Sequence, residues 1–244
     1  MKTKMWKLMI AAIVVLPMAL VSCHDEWMIG ISGQGEIVEQ TIILDNFDGF
    51  VSDIPADIYL TQGDNQEVVF KAQQNIIDNI ELERVDGGIW TIRYHQLVRY
   101  SKPVKIYITI PTLTKAGING SCNITGLTSF TGLDQLKLFI SGSGNIDLDF
   151  DSQKLNATIS GSGNLNLSGT TDQVNLIVSG SGSFHGMDLA TPRAELTITG
   201  SGSARITVEE FLKVNVTGSG NVYYDGNPEL DVHVSGSGSV SRGR

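Results

Sequence analysis

Ile140-Ser141-Gly142-Ser143-Gly144-Asn145 is one copy of a phrase that the chain writes six times: an apolar residue, Ser or Thr, Gly-Ser-Gly, then Asn or Ser. The other copies begin at Ile159, Val178, Ile198, Val216 and Val234. Their first glycines, Gly142, Gly161, Gly180, Gly200, Gly218 and Gly236, follow one another at intervals of 19, 19, 20, 18 and 18 residues. A period of this size marks a stacked repeat, in which one unit makes one coil of a solenoid.

The residues between the phrases say what kind of coil it is. Every second residue from Leu136 reads Leu136, Leu138, Ile140, Gly142, Gly144, Ile146, Leu148 and Phe150, with mostly polar residues between them. This is the period of a strand with one buried face. It recurs through Leu155, Ile159, Leu165 and Leu167, through Leu196, Ile198, Ile206 and Val208, and through Leu230, Val232, Val234 and Val240. The fold class that follows is all-β, a single-stranded parallel β-helix with coils of 18 to 22 residues. With strands about 4.8 Å apart, some seven coils make a rod on the order of 33 Å long.

The second glycines, Gly144, Gly163, Gly182, Gly202, Gly220 and Gly238, share the apolar parity with the first. Both rows are expected to point inward at a corner where the backbone runs too close to the axis for a side chain. Outside them lie three polar rows. One runs Ser141, Ser160, Ser179, Thr199, Thr217 and Ser235; the next Ser143, Ser162, Ser181, Ser201, Ser219 and Ser237; the last Asn145, Asn164, Ser183, Ser203, Asn221 and Ser239. The Ser143 row, with Asn145, Asn164 and Asn221, is the candidate interaction ladder. A degenerate copy, Ile118-Asn119-Gly120-Ser121-Cys122-Asn123-Ile124, stands 22 residues earlier and sets Cys122 at the second glycine position. A small buried thiol is the expectation; a reactive thiol is the alternative, and no flanking base or cation supports it.

At the other end, Lys2, Lys4 and Lys7 precede an apolar run from Leu8 to Leu20, of signal-peptide length and short for a membrane span. The run closes in Leu20-Val21-Ser22-Cys23, which resembles the bacterial lipobox. Residues 1–22 are therefore read as a lipoprotein signal peptide, Cys23 as the lipidated residue, and residues 23–35 as anchor and tether. The membrane partner is reached through that lipid. The expected address is the outer membrane, on the cell surface, with its periplasmic face as the alternative. With Cys23 acylated, Cys122 has no disulfide partner.

Loss of residues 1–22 removes three Lys and no acid, moving the formal charge from −9 to −12. Residues 24–117 hold 14 acidic and 7 basic side chains, and residues 118–244 hold 12 and 7. Such an even negative charge excludes nucleic acid as a partner.

Residues 36–117 do not repeat, yet they read as β. Strands are expected at 36–44, 54–61, 66–72 and 89–94 and around Val104 to Ile110, with a short helical turn near Ile76 and Ile77. This half is read as irregular coils that begin and cap the solenoid, or as a separate small β domain; residues 118–244 are the regular repeat. At Val240-Ser241-Arg242-Gly243-Arg244 the arginines are read as charged guards of a strand edge, with self-association as the alternative.

Gly30-Ile31-Ser32-Gly33-Gln34-Gly35, then Phe47-Asp48-Gly49-Phe50, then Asp57-Ile58-Tyr59-Leu60-Thr61-Gln62-Gly63, then serial Ser-Gly-Ser-Gly-Asn coils, make a combined pattern. In this the chain resembles the auto-transporter adhesin head domain family, the head GIN domain proteins, over roughly residues 30–240. The resemblance implies a right-handed, pectate-lyase-like β-helix in the cell envelope, and an adhesin by family label.

No chemistry emerges from the repeats. Gly-x-Gly recurs in every coil without a following helix, so it is not a phosphate loop. Units twice nine residues long with Ser or Asn at the polar positions do not suit a calcium roll. Asp147, Asp149 and Asp151 alternate with inward residues and are read as a solvated face. The four histidines, His24, His95, His185 and His233, fall in unrelated phases. Of the aromatics Trp90, Tyr94, Tyr100, Tyr107, Tyr223 and Tyr224, Trp90 is read as core, and the others as packing or sugar-stacking groups. No cofactor, metal site or catalytic residue is expected. The sequence reads as a non-enzymatic envelope lipoprotein that contacts a polysaccharide or a host or cell-surface protein. An envelope glycan-acting enzyme and a passive periplasmic structural protein are the alternatives.

Overall fold

Alternation with a period of two, interrupted once per coil by Gly-Ser-Gly, produces strands that run almost the whole length of a coil. The computed structural model describes residues 30–243. The first half holds β1 (Ile31–Ser32), β2 (Ile37–Ile42), β3 (Gly49–Ser52), β4 (Asp57–Gln62), β5 (Glu67–Gln73), the single-turn α1 (Gln74–Ile77), β6 (Val85–Asp86), β7 (Ile89–Ile92), β8 (Val98–Tyr100) and β9 (Lys105–Ile110). The repeat half holds β10 (Lys115–Gly120), β11 (Asn123–Gly126), β12 (Phe130–Gly142), β13 (Asn145–Gly161), β14 (Asn164–Gly180), β15 (Ser183–Gly200), β16 (Ser203–Gly218), β17 (Asn221–Asp225), β18 (Glu229–Gly236) and β19 (Ser239–Arg242). Together they form a parallel β-solenoid of about seven turns.

Each regular coil has two limbs. In β13, Ile146, Leu148, Phe150 and Ser152 point inward along the first limb and Leu155, Ala157 and Ile159 along the second. Two outward residues, Gln153 and Lys154, stand together between them and turn the chain. The first limbs stack into a front wall and the second limbs into a back wall, paired in parallel and in register; Asn145 lies beside Asn164, and Gly161 beside Gly180. An inward residue of one coil thus packs on the inward residue of the next, giving one continuous core from Ile42 to Val222. The turn between limbs places Ser152, Thr171 and Thr191 inside, at 5, 3 and 1% exposure. Ser152 Oγ and Thr171 Oγ1 lie 2.9 Å apart, and Thr191 Oγ1 donates to the Arg193 carbonyl at 3.0 Å, so these buried hydroxyls are satisfied.

In the first half the stacking order departs from chain order. β10 follows β9 in sequence but pairs with β3 and β12, and β11 pairs with β4 and β13. The coil made by β3 and β4 is therefore held between the β10–β11 coil and the later-written β7–β9 coil. Beyond β9 the parallel stack ends: β5 and β2 add to the front wall in antiparallel sense, and β6 adds to the back wall. Trp90, fully buried, packs there against Phe47 at 5.5 Å and Phe70 at 6.2 Å, and Ile76 and Ile77 of α1 are buried beside this core. At the opposite end, Leu230, Val232 and Val234 of β18 are 44, 42 and 36% exposed, whereas Leu212, Val214 and Val216, one coil inward, are fully buried.

Candidate functional site

The Gly-Ser-Gly corner is the closest approach between coils. The first glycine of each phrase holds a positive φ, from +118° at Gly200 and Gly218 to +150° at Gly142. The second is buried from Gly144 to Gly220 and half-buried at Gly238, and a Cβ there would meet a carbonyl oxygen of the preceding coil, at 2.5 Å for Gly182 against Gly163. The first row thus requires glycine for its positive φ and also for lack of space, a Cβ at Gly180 standing 2.6 Å from Gly161 O, whereas the second requires it for lack of space alone. In the first five phrases only the second row lies inside and the first stays half-exposed on the corner; in the last, Gly236 is exposed and Gly238 half-buried. Cys122 escapes the restriction because the coil beneath it runs through Ala56, whose carbonyl accepts from Asn123 N–H at 3.0 Å. Its Sγ is buried near the Asn123 carbonyl, 3.6 Å away, and burial pushes the thiol up to about 11.

Between the glycines, each Ser is tied through its backbone and free at its side chain. Ser143 N–H donates to Gly120 O at 2.8 Å, and Ser162, Ser181, Ser201, Ser219 and Ser237 repeat the bond at 2.9 Å to the first glycine one coil earlier. All six side chains are exposed. The hydroxyls make a row on the corner, about 4.8 Å from one coil to the next.

The Asn row behaves differently. Asn164 Nδ2 donates to Asn145 Oδ1 at 2.9 Å, Asn145 to Asn123 at 3.0 Å, and Asn123 to the Asp57 carboxylate at 3.1 Å. Further along, Ser183 and Ser203 hydroxyls lie 3.2 Å apart, and Ser239 donates to Asn221 at 2.7 Å. This row stitches coil to coil, so Asn145, Asn164 and Asn221 present less free hydrogen-bonding capacity than the Ser143 row.

Below these rows on the front wall, the register sets Asp147, Asn166, His185, Arg205 and Tyr223 side by side. Asp147, Asp149 and Asp151 face outward and accept from Asn166, Ser168 and Thr170 of the next coil. Hydrogen bonds from Ser129 and Ser168 hold Asp149 below the usual carboxylate range. His185 is held below its ordinary value by burial and then by the Arg205 charge. His185 and His233 lie on different walls, and among the described residues no group of three or more His, Cys, Asp or Glu side chains could hold a metal ion. Some aromatic faces are occupied by neighbours: Tyr59 stacks on Tyr107 at 4.9 Å, Lys71 Nζ lies 5.1 Å over Tyr107, and Arg205 lies 5.0 Å over Tyr223, whereas Tyr100 is exposed.

The front wall also carries a shallow depression of about 420 Å³, bordered by Asp147, Asp149, His185, Met187, Asp188 and Arg205. Sequence reading singled out the first two and treated His185 as isolated. Counting positions after each second glycine aligns Asp147, Asn166, His185 and Arg205 at the third residue of their coils, and that was the available signal. The place of Asp188 carried no such signal, because β15 slips register there.

Residues 46–228 match the family model described as "putative auto-transporter adhesin, head GIN domain". The chain belongs to this family. Among solved structures, this head GIN domain is similar to a "putative adhesin" from Bacteroides fragilis, at 25% identity and a TM-score of 0.82, covering 87% of this chain and all of that one. A "putative lipid binding protein" from Parabacteroides distasonis shares 24% identity and a TM-score of 0.74, over 88 and 99% of the two chains. A "putative adhesin" from Parabacteroides merdae follows at 20% identity and a TM-score of 0.71, over the same 88 and 99%. No curated protein matches the chain. Adhesin-type families belong to the cell surface or envelope. Among the described residues, no helix is long and apolar enough to cross a membrane. Residues 1–22 and Cys23 lie outside the described residues, as does Arg244; Arg242 Nε sits 3.8 Å from Asp225.

Proposed function

We propose that this head GIN domain is a non-enzymatic interaction module of the cell envelope, an adhesin in action as in family. Residues 1–22 are removed, residues 23–35 tether the body, and lipid on Cys23 anchors it to the outer membrane with the solenoid at the cell surface. The observation that carries the reading is the Ser143 row: six exposed hydroxyls at strand spacing on a rigid corner, with their backbones already paired. Each contact to a polysaccharide or a protein surface is weak, and simultaneous engagement of several supplies the avidity.

Two measurements test this. Protease treatment of intact cells is expected to remove the protein while a periplasmic control survives, and Cys23→Ala is expected to release it from membranes. Replacing Ser143, Ser162, Ser181, Ser201, Ser219 and Ser237 together by Ala is expected to leave the melting curve unchanged and abolish binding of the mature body to cell surfaces. Undiminished binding in that variant sinks the hydroxyl-row mechanism, and protection from protease sinks the surface location.

A further inference from the structure

The depression on the front wall is built by an irregularity of the repeat. The coil from Gly180 to Gly200 is the one of 20 residues, and its extra length falls in β15. Pairing of β14 with β15 shifts between Asn166 and Ser168, and pairing of β15 with β16 shifts between Gly186 and Ala190. At the centre, Gly186 has no side chain, and a Cβ there would strike the buried Phe184 ring at 2.5 Å. Met187 bulges outward, its carbonyl held by Thr207 Oγ1 at 2.7 Å. Bulges re-aim side chains in this way beside functional surfaces, and here one converts a flat ladder into a concavity within the size range of small-ligand sites.

The hydrogen-bonding inventory says what fits. Asp147 Oδ1 accepts from Asn166, leaving its second oxygen open, while Asp149 accepts from Ser168 and Ser129 and keeps lone pairs for a further donor. Asp188 adds a third carboxylate at the border. Arg205 stacks on Tyr223 and forms no ion pair among the described residues, so its N–H groups are available. Acceptors thus outnumber donors, and the border is net negative. An anionic ligand is repelled, a bare divalent cation lacks a ligand set, and an apolar ligand strips water from carboxylates without return. A ligand carrying many hydroxyls gives protons to the carboxylates and takes one from Arg205, while Met187, 37% exposed, meets its C–H face.

We propose that this groove is a binding site for a neutral saccharide, recognised by Asp147, Asp149, Asp188 and Arg205 around the β15 bulge. It spans the coils of Asp147, Asn166, His185 and Arg205, three steps or about 14 Å, enough for a short oligosaccharide. The site is separate from the Ser143 row and stands or falls without it.

The test is a titration of the isotope-labelled mature body with cellohexaose, mannohexaose, xylohexaose and chitohexaose, followed by amide and Arg side-chain resonances. Oligogalacturonate and spermine serve as anionic and cationic comparators. Saturable shifts at His185 and Arg205 with at least one neutral hexaose are expected. Arg205→Gln and the double variant Asp149→Asn, Asp188→Asn are each expected to weaken that binding about tenfold or more. The six-serine variant is expected to bind as the wild type does. Absence of binding by all four hexaoses overturns the proposal, as does unchanged affinity in both groove variants. Binding of oligogalacturonate or spermine alone overturns it as well.

Discussion

Gly182→Ala probes the feature on which the whole stack depends. The new Cβ would stand 2.5 Å from Gly163 O and 2.5 Å from Ile159 Cγ2, where ordinary contact begins near 3.4 Å. Coil and neighbour must part by about 0.9 Å at a corner where both are backbone or buried core. Gly163 O also accepts from Ser183 N–H at 3.1 Å, so the same displacement breaks that bond. Overpacking of about 2 kcal/mol and a lost hydrogen bond of about 1 kcal/mol total roughly 3 kcal/mol. For a chain of this size the melting temperature should fall by about 6–12 °C. The neighbouring Ser181→Ala removes an exposed hydroxyl and should stay within about 0.5 kcal/mol of wild type. Urea and thermal unfolding of the mature body, followed by far-ultraviolet circular dichroism, measure both. A Gly182→Ala protein within about 1 kcal/mol of wild type, or a Ser181→Ala protein equally damaged, would refute the steric account.

Cys122 and the inner corner supply the other tests. Burial raises the Cys122 thiol from 9.0 to about 11, so the folded state stays protonated where the unfolded chain ionises. That contribution is complete below pH 9 and is lost as pH rises from about 9 to about 11. The urea midpoint of Cys122→Ala should therefore fall less over this window than that of wild type, and native Cys122 should resist a bulky maleimide at pH 7.5. Thr171→Val strands the buried Ser152 hydroxyl at a cost of about 1–3 kcal/mol, whereas adding Ser152→Ala should recover part of the loss. A strictly additive double-mutant cycle in urea would show that the 2.9 Å contact contributes nothing.

Much of the coil was legible because its causes are local. The parity of Leu136 to Phe150 predicts a strand, and the structure breaks it at Ser143 and Gly144, between β12 and β13, yet keeps the parity, with Gly144, Ile146, Leu148 and Phe150 buried. The expected strands of the first half also appear, as β2, β4, β5, β7 and β9, with α1 at the expected helical turn. Gly49–Ser52 was not anticipated; four residues, all buried, have no alternation to read. Ser152, Thr171 and Thr191 look like surface residues in the sequence and are interior, because each continues the inward parity of its first limb to the last position before the turn.

The sequence by itself determined that the chain forms stacked parallel coils with glycine corners and polar outer rows. Strand period, repeat length and the need for glycine are all properties of one coil and its identical neighbour. Only the tertiary structure decided which polar groups remain free. Asn145 and Ser143 are two residues apart and equally polar, yet one amide is held by the next coil while the other hydroxyl faces water. It alone decided that the β3–β4 coil lies inside the later β7–β9 coil, and that His185, Asp188 and Arg205 border one groove with Asp147. These outcomes depend on hydrogen bonds and register between segments far apart in the chain, and a bulge in β15, one residue against β14 and three against β16, is enough to change them.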